Sequence, residues 1–129
     1  MHNLAFLQLE ANNLLDAEAN FTEALANLRQ LAINNPDIYL LYVVTAIINI
    51  AEIQYKTFRY EESEKNYTEA FDIYVDLIRK LPGIHSDRVT SEFCKLIEIK
   101  EKLSKTGEAE ELKVKLNELM STTDTDNKQ

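Results

Sequence analysis

The sequence predicts an all-α fold assembled from helix pairs, and three observations carry that expectation. Apolar residues recur at helical spacing along most of the chain. Only two Gly and two Pro occur in 129 residues, too few for a fold rich in tight β turns. Blocks of like residues recur at a fixed step of 46 positions, the mark of stacked helical units that bury their faces on one another. At this length the chain forms one domain and buries a core without disulfides.

Before Pro36 the apolar positions are Leu4, Phe6, Leu7 and Leu9, then Leu14, Ala17, Phe21, Ala24, Leu25, Leu28, Leu31 and Ala32. Asn12-Asn13 separates the two groups. Asn tolerates left-handed backbone and bonds locally, so a turn is expected there, with helices over about 2–12 and 14–34. Asn35 then caps the next helix, with Pro36 in its first turn, where a missing N–H costs nothing. That helix, 37–56, reads DIYLLYVVTAIINIAEIQYK and is apolar on nearly every side. It has to be covered on more than one face, so it takes the centre of the domain.

The following helix, 60–80, sets Tyr60, Tyr67, Ala70, Phe71, Tyr74, Leu77 and Ile78 against Glu61, Glu62, Glu64 and Lys65. Leu81-Pro82-Gly83 stops it, Gly offering a left-handed cap and Pro forbidding continuation. Ser86 or Asp87 starts a helix over about 87–104, which Lys105-Thr106-Gly107 breaks. A last helix over about 108–121 carries Ala109, Leu112, Leu116 and Leu119 inward. From Ser121 the sequence STTDTDNKQ is polar without an apolar period, so residues 121–129 are expected to form a disordered tail.

The repeat is read directly from the residues. Asn20-Phe21-Thr22-Glu23-Ala24-Leu25 recurs as Asn66-Tyr67-Thr68-Glu69-Ala70-Phe71. The same step links Ala17, Ser63 and Ala109, and Leu4, Ile50 and Leu96. Asn49-Ile50-Ala51-Glu52-Ile53-Gln54-Tyr55, then Tyr60-Glu61-Glu62-Ser63, Tyr67 and Ala70-Phe71, resembles a tetratricopeptide repeat. Leu81 to Val89 is similar to the connector in the longer repeats of the kinesin light chain type. Gln54 stands where the family favours Tyr, and Phe58 where it often has Gly. The resemblance implies a right-handed superhelix of three antiparallel helix pairs, a tetratricopeptide-like α-solenoid over residues 2–120 (pairs about 2–34, 36–81 and 87–120).

Charge and composition exclude several functions. A net charge of −8 disfavours nonspecific binding to nucleic acid or to anionic membrane. Cys94 is the only cysteine, so there is no intrachain disulfide and no thiolate zinc cluster, and it reads as an inert, buried or half-buried thiol. No signal peptide is legible at the N-terminus, and the apolar run Ile38–Ala51 is short for a bilayer span, so a soluble cytoplasmic protein is expected. His2 and His85 are the only imidazoles, and no phosphate loop, metal motif or nucleophile elbow occurs. The expectation is no enzyme, no cofactor and no metal. Asn20-Phe21-Thr22 and Asn66-Tyr67-Thr68 match glycosylation sequons but lie on helices, as repeat residues.

The family resemblance implies that the first helix of each pair lines a concave groove holding peptide segments. Carried over position by position, the groove residues are Asn3, Phe6 and Glu10, then Thr45, Ile48, Asn49, Glu52 and Tyr55, then Ser91, Cys94, Lys95, Glu98 and Glu101. Asn3 and Asn49 share the repeat step, and either hold a peptide backbone through the amide or hydrogen-bond within the fold. The two-Lys, two-Asn clamp of chaperone-tail binders is absent, Phe6 and Glu52 standing in its Asn positions. Four carboxylates favour a neutral to basic protein or peptide partner. The first functional expectation is a noncatalytic protein–protein interaction scaffold. The alternative is a homodimerisation module using the apolar helix 37–56, from a larger regulatory protein, since its run Tyr39–Val44 exceeds what two neighbours cover. An enzyme accessory, or an enzyme whose chemistry lies outside this chain, is the third.

Overall fold

A computed structural model describes the backbone of residues 2–127 and the side chains of residues 10–120. All regular structure among the described residues is helical: α1 (His2–Asn34), α2 (Pro36–Lys56), α3 (Tyr60–Lys80), a short 3-10 turn (Pro82–Ile84), α4 (Asp87–Glu92), α5 (Cys94–Lys102) and α6 (Thr106–Asn127). The all-α expectation holds. One boundary does not: residues 2–34 are a single helix of 33 residues with no turn at Asn12-Asn13. Neither Gly nor Pro interrupts that stretch, and an Asn in a helix interior costs only about 0.7 kcal/mol relative to Ala, so continuation is cheap. The last helix also runs past Ser121 to Asn127, and Lys128 and Gln129 lie outside the described residues.

α2 takes the centre, packing on α1 along one side and on α3 along another. Val43, Val44, Ala46, Ile47, Ile48, Ile50, Ala51 and Ile53 are all buried. The Asn35 side chain makes no cap bond; its carbonyl accepts from Ile38 and Tyr39 N–H (3.2 and 3.1 Å), and Pro36 sits in the first turn as expected. From α3, Ser63, Tyr67, Ala70 and Tyr74 reach 0% exposure. The small Ser63 lets the two backbones approach, and its hydroxyl donates to the Ala51 carbonyl of α2 at 2.7 Å. One turn on, Asn66 Nδ2 donates to Gln54 Oε1, also at 2.7 Å. Phe93 closes the core from the far side, with its ring edge-on to Phe71 at 5.2 Å.

The 46-residue step survives as geometry. After α2, Phe58 is left-handed (φ 65°), and after α5 Ser104, 46 positions on, is left-handed as well (φ 62°). Both turns carry the same closing bonds. Arg59 N–H reaches Gln54 O (2.8 Å) and Phe58 N–H reaches Tyr55 O; Lys105 N–H reaches Lys100 O (2.7 Å) and Ser104 N–H reaches Glu101 O. This six-to-one and five-to-two pairing is the Schellman cap, which usually places Gly at the left-handed position. Here Phe and Ser occupy it, at a cost of about 1–2 kcal/mol each. Gly83 and Gly107, the residues expected to punctuate the chain, have no positive φ.

Between the second and third units the linker is held from inside. Tyr74 Oη accepts from Ser86 N–H at 2.8 Å, and Ser86 Oγ caps α4 by accepting from Val89 N–H. A single helix was expected over 87–104. Instead the backbone tightens at Phe93, whose N–H bonds to Thr90 O and whose carbonyl accepts from Leu96 N–H, an i to i+3 pattern. An ion-pair network then ties α3, α5 and α6: Lys100 Nζ bonds Glu64 (3.1 Å) and Glu108 (3.0 Å), and Lys105 Nζ bonds Glu64 (2.7 Å). Burial by itself would lower Lys100, but its bonds to Glu108 and Glu64 outweigh that and raise it. Burial would likewise raise Glu64, and the bonds from Lys105 and Lys100 hold it below its ordinary value.

Candidate functional site

The sequence-predicted residues fall on a stripe of α2 and on a stripe of α4 and α5. Along α2 the positions Ile38, Tyr42, Thr45, Asn49 and Glu52 follow one another at spacings of three and four, which puts them on one stripe. Ile38 (59% exposed) and Tyr42 (60%) form its open apolar end. Thr45 is exposed and donates back to Leu41 O (3.0 Å), while Asn49 and Glu52 are half-buried, with Glu52 3.6 Å from Lys56. On α4 and α5 the matching stripe is Ser91, Cys94, Glu98 and Glu101, all exposed.

Tyr55 joins the stripes. Its hydroxyl donates to Glu98 Oε2 at 3.1 Å, and Lys95 Nζ sits over its ring, 5.2 Å from the centroid. Burial, followed by the bond to Glu98, raises the Tyr55 pKa, so the phenol stays a donor. Beneath the surface Tyr67 is fully buried and its hydroxyl has no hydrogen-bond partner. Burial first, then the charges of Glu52, Glu92 and Glu98, pushes its ionisation upward. Those three carboxylates come one each from α2, α4 and α5. The effect of Glu92 on this buried hydroxyl was not legible in the sequence, because only the packing of α3 among the other helices brings it about.

Not every expected residue belongs here. Ile48 is 5% exposed and part of the core, since it faces inward with Val44 and Ala51. Asn3 and Phe6 lie outside the described side chains. Glu10 is exposed but lines a different cleft, of about 460 Å³, between α1 and the Lys56–Phe58 turn. Cys94 is exposed rather than buried. The α2 surface offered for self-association is also narrower than expected: from Val43 onward the apolar residues are mostly core, and Ile38 and Tyr42 remain open. Asn66 of the sequon is bonded to Gln54 and serves the helix packing.

Other features of the surface carry less. A cleft of about 480 Å³ lies between α3 and α6, floored by Phe71, Val75 and Leu119 and rimmed by charges of both signs. Among the described residues no group of three or more His, Cys, Asp and Glu side chains is placed to hold a metal ion. By length and composition α2 is apolar enough to cross a membrane, and half of that stretch is buried inside the protein. Comparison with protein-family models, with curated proteins and with solved structures finds no match.

Proposed function

We propose that the protein is a noncatalytic interaction scaffold that receives a neutral to basic peptide or protein segment on the joint surface of α2 and α4–α5. The reading takes the helices as tetratricopeptide-like pairs of a right-handed superhelix, whose first helices line the receiving side. The observation that carries it is the Tyr55 junction, where a bond to Glu98 and the Lys95 ammonium over the ring tie the α2 stripe to α5. Asn49 supplies an amide able to donate and accept at once, as a peptide backbone requires. Glu52, Glu98 and Glu101 supply the carboxylates that favour Lys or Arg on the ligand. An open stripe suits an extended segment better than a small molecule, which needs concavity on most sides.

The test is selection of peptides from a random displayed library on the whole protein, followed by binding measured by fluorescence anisotropy. Selected sequences should be enriched in Lys and Arg, and binding should weaken as salt screens the carboxylates. Asn49→Ala with Glu52→Lys should abolish binding while circular dichroism stays that of the parent. Selection without cationic enrichment, or peptides that bind the double variant equally well, would sink the proposal.

A further inference from the structure

The first unit lacks a cover that the second unit has. In α3, Ser63, Tyr67, Ala70 and Tyr74 are each 0% exposed and Leu77 2%. Their equivalents 46 positions earlier in α1 are Ala17, Phe21, Ala24, Leu28 and Leu31. Ala24 is exposed, Leu31 is 47% exposed, and Ala17, Phe21 and Leu28 are only half-buried. Similar apolar faces thus end in different surroundings.

Over Ser63 and Asn66 of α3 lies the second half of α2, through Ala51 and Gln54, both buried among Ile50 and Ile53. At the same step the sequence has Leu4, Ala5, Leu7 and Gln8. The contacts have equivalents too. The 2.7 Å bond between Gln54 and Asn66 corresponds to the pair Gln8 and Asn20, and the Ala51–Ser63 approach to Ala5 and Ala17. The left-handed Phe58 and Ser104 correspond to Asn12. Residues 4–8 are therefore the natural cover for residues 17–21. They cannot serve as such within the molecule, because α1 is one continuous helix. Positions 5 and 17 are about 18 Å apart along its axis.

We infer that a second copy of the chain supplies the cover, by a reciprocal exchange in which residues 4–8 of each α1 dock on residues 17–21 of the other. Pairing Ala5 with Ala17 in both directions places two antiparallel α1 helices about a two-fold axis close to Ala11. Such an interface is closed and self-complementary, as exchanged elements in symmetric dimers are. Asn12-Asn13 is the hinge that a folded-back chain would use and the exchanged chain keeps straight. The inference stands apart from peptide binding on α2 and α4–α5 and does not need it.

The experiment places Ala5→Cys and Ala17→Cys in the full chain with Cys94→Ser, oxidises it mildly at micromolar concentration, and separates it without reductant. Exchange gives a covalent dimer. A disulfide closed within one chain, or no crosslink, overturns it. Light scattering behind a sizing column supplies the second measurement on the unmodified chain, where a dimer is expected. Phe21→Glu should shift it to monomer with helicity retained. Asn12→Gly with Asn13→Gly, which favours folding back, should weaken the dimer at least tenfold. A monomeric parent chain at every concentration overturns the inference whatever the variants do.

Discussion

Residues 17–32 of α1 and residues 63–78 of α3 carry closely similar apolar faces, yet one is half open and the other sealed. The difference is in what lies opposite. α2 packs on both, but α3 also has α5 against it and α2 returned onto it by a tight left-handed turn at Phe58; α1 has no helix returned onto it from before, because Asn12 remains helical. A hydrophobic face stabilises a fold only in proportion to the area another element removes from water. The comparison teaches that a repeated sequence sets up the same face twice, while the connection before it decides whether that face becomes core.

The largest expected effect tests this directly. Tyr67→Ala removes a fully buried ring and should cost about 3–5 kcal/mol, whereas Phe21→Ala, its half-buried equivalent, should cost about 1–2 kcal/mol. Urea unfolding of the two variants at one protein concentration measures both. Equal losses would mean that the two faces are covered alike.

Next is the ion-pair network that ties α3 to α5 and α6. Glu64→Gln leaves Lys100, only 11% exposed, with a poorer partner and should cost about 2 kcal/mol. The sign with pH follows from both groups. Glu64 lies below its ordinary value of 4.5, so its contribution is present above that pH and is lost as pH falls through the lowered value. Lys100 lies above its ordinary value of 10.5, so its contribution is full below that pH and fades as pH rises through the raised value. Stability should therefore hold a plateau between these limits with respect to this pair. In Glu64→Gln the acid-side loss should shrink, a comparison that thermal melts from pH 3 to 7 would make.

A smaller effect isolates the hydroxyl that separates Tyr67 from Phe21. Its oxygen is buried without a partner, so Tyr67→Phe should stabilise by about 1 kcal/mol. A loss on that substitution would reveal a bond to the hydroxyl that the geometry does not show.

The finest test sets one substitution at the three equivalent turn positions. Phe58→Gly and Ser104→Gly relieve left-handed strain and should stabilise by up to about 1 kcal/mol. Asn12→Gly sits in a helix and should destabilise by a few tenths of a kcal/mol. Opposite signs in denaturant midpoints would confirm the difference between the turns; a common sign would put a turn at Asn12 as well.

Much of this architecture could be read without coordinates. The apolar period gave the helices, Pro36 and Ser86 marked two starts, and the run from Val43 to Ile53 announced a central helix because no other placement hides so many β-branched and aliphatic residues. The stripe Thr45, Asn49, Glu52 and Tyr55 was legible for the same reason: residues three and four apart share a face. Ile48 was misplaced because it lies at the edge of that face, where a rotation of some tens of degrees separates surface from core.

What the sequence determined by itself was the set of helical segments, their apolar faces and the 46-residue step, since each depends on residues near in the chain. Tertiary structure alone decided where the chain turns. A left-handed Phe58 and Ser104 are locally unfavourable and form because the packing beyond them repays about 1–2 kcal/mol of strain. Asn12, the residue best suited to such a turn, stays helical. Packing also brought Glu98 of α5 onto the Tyr55 hydroxyl of α2, a contact no local pattern records.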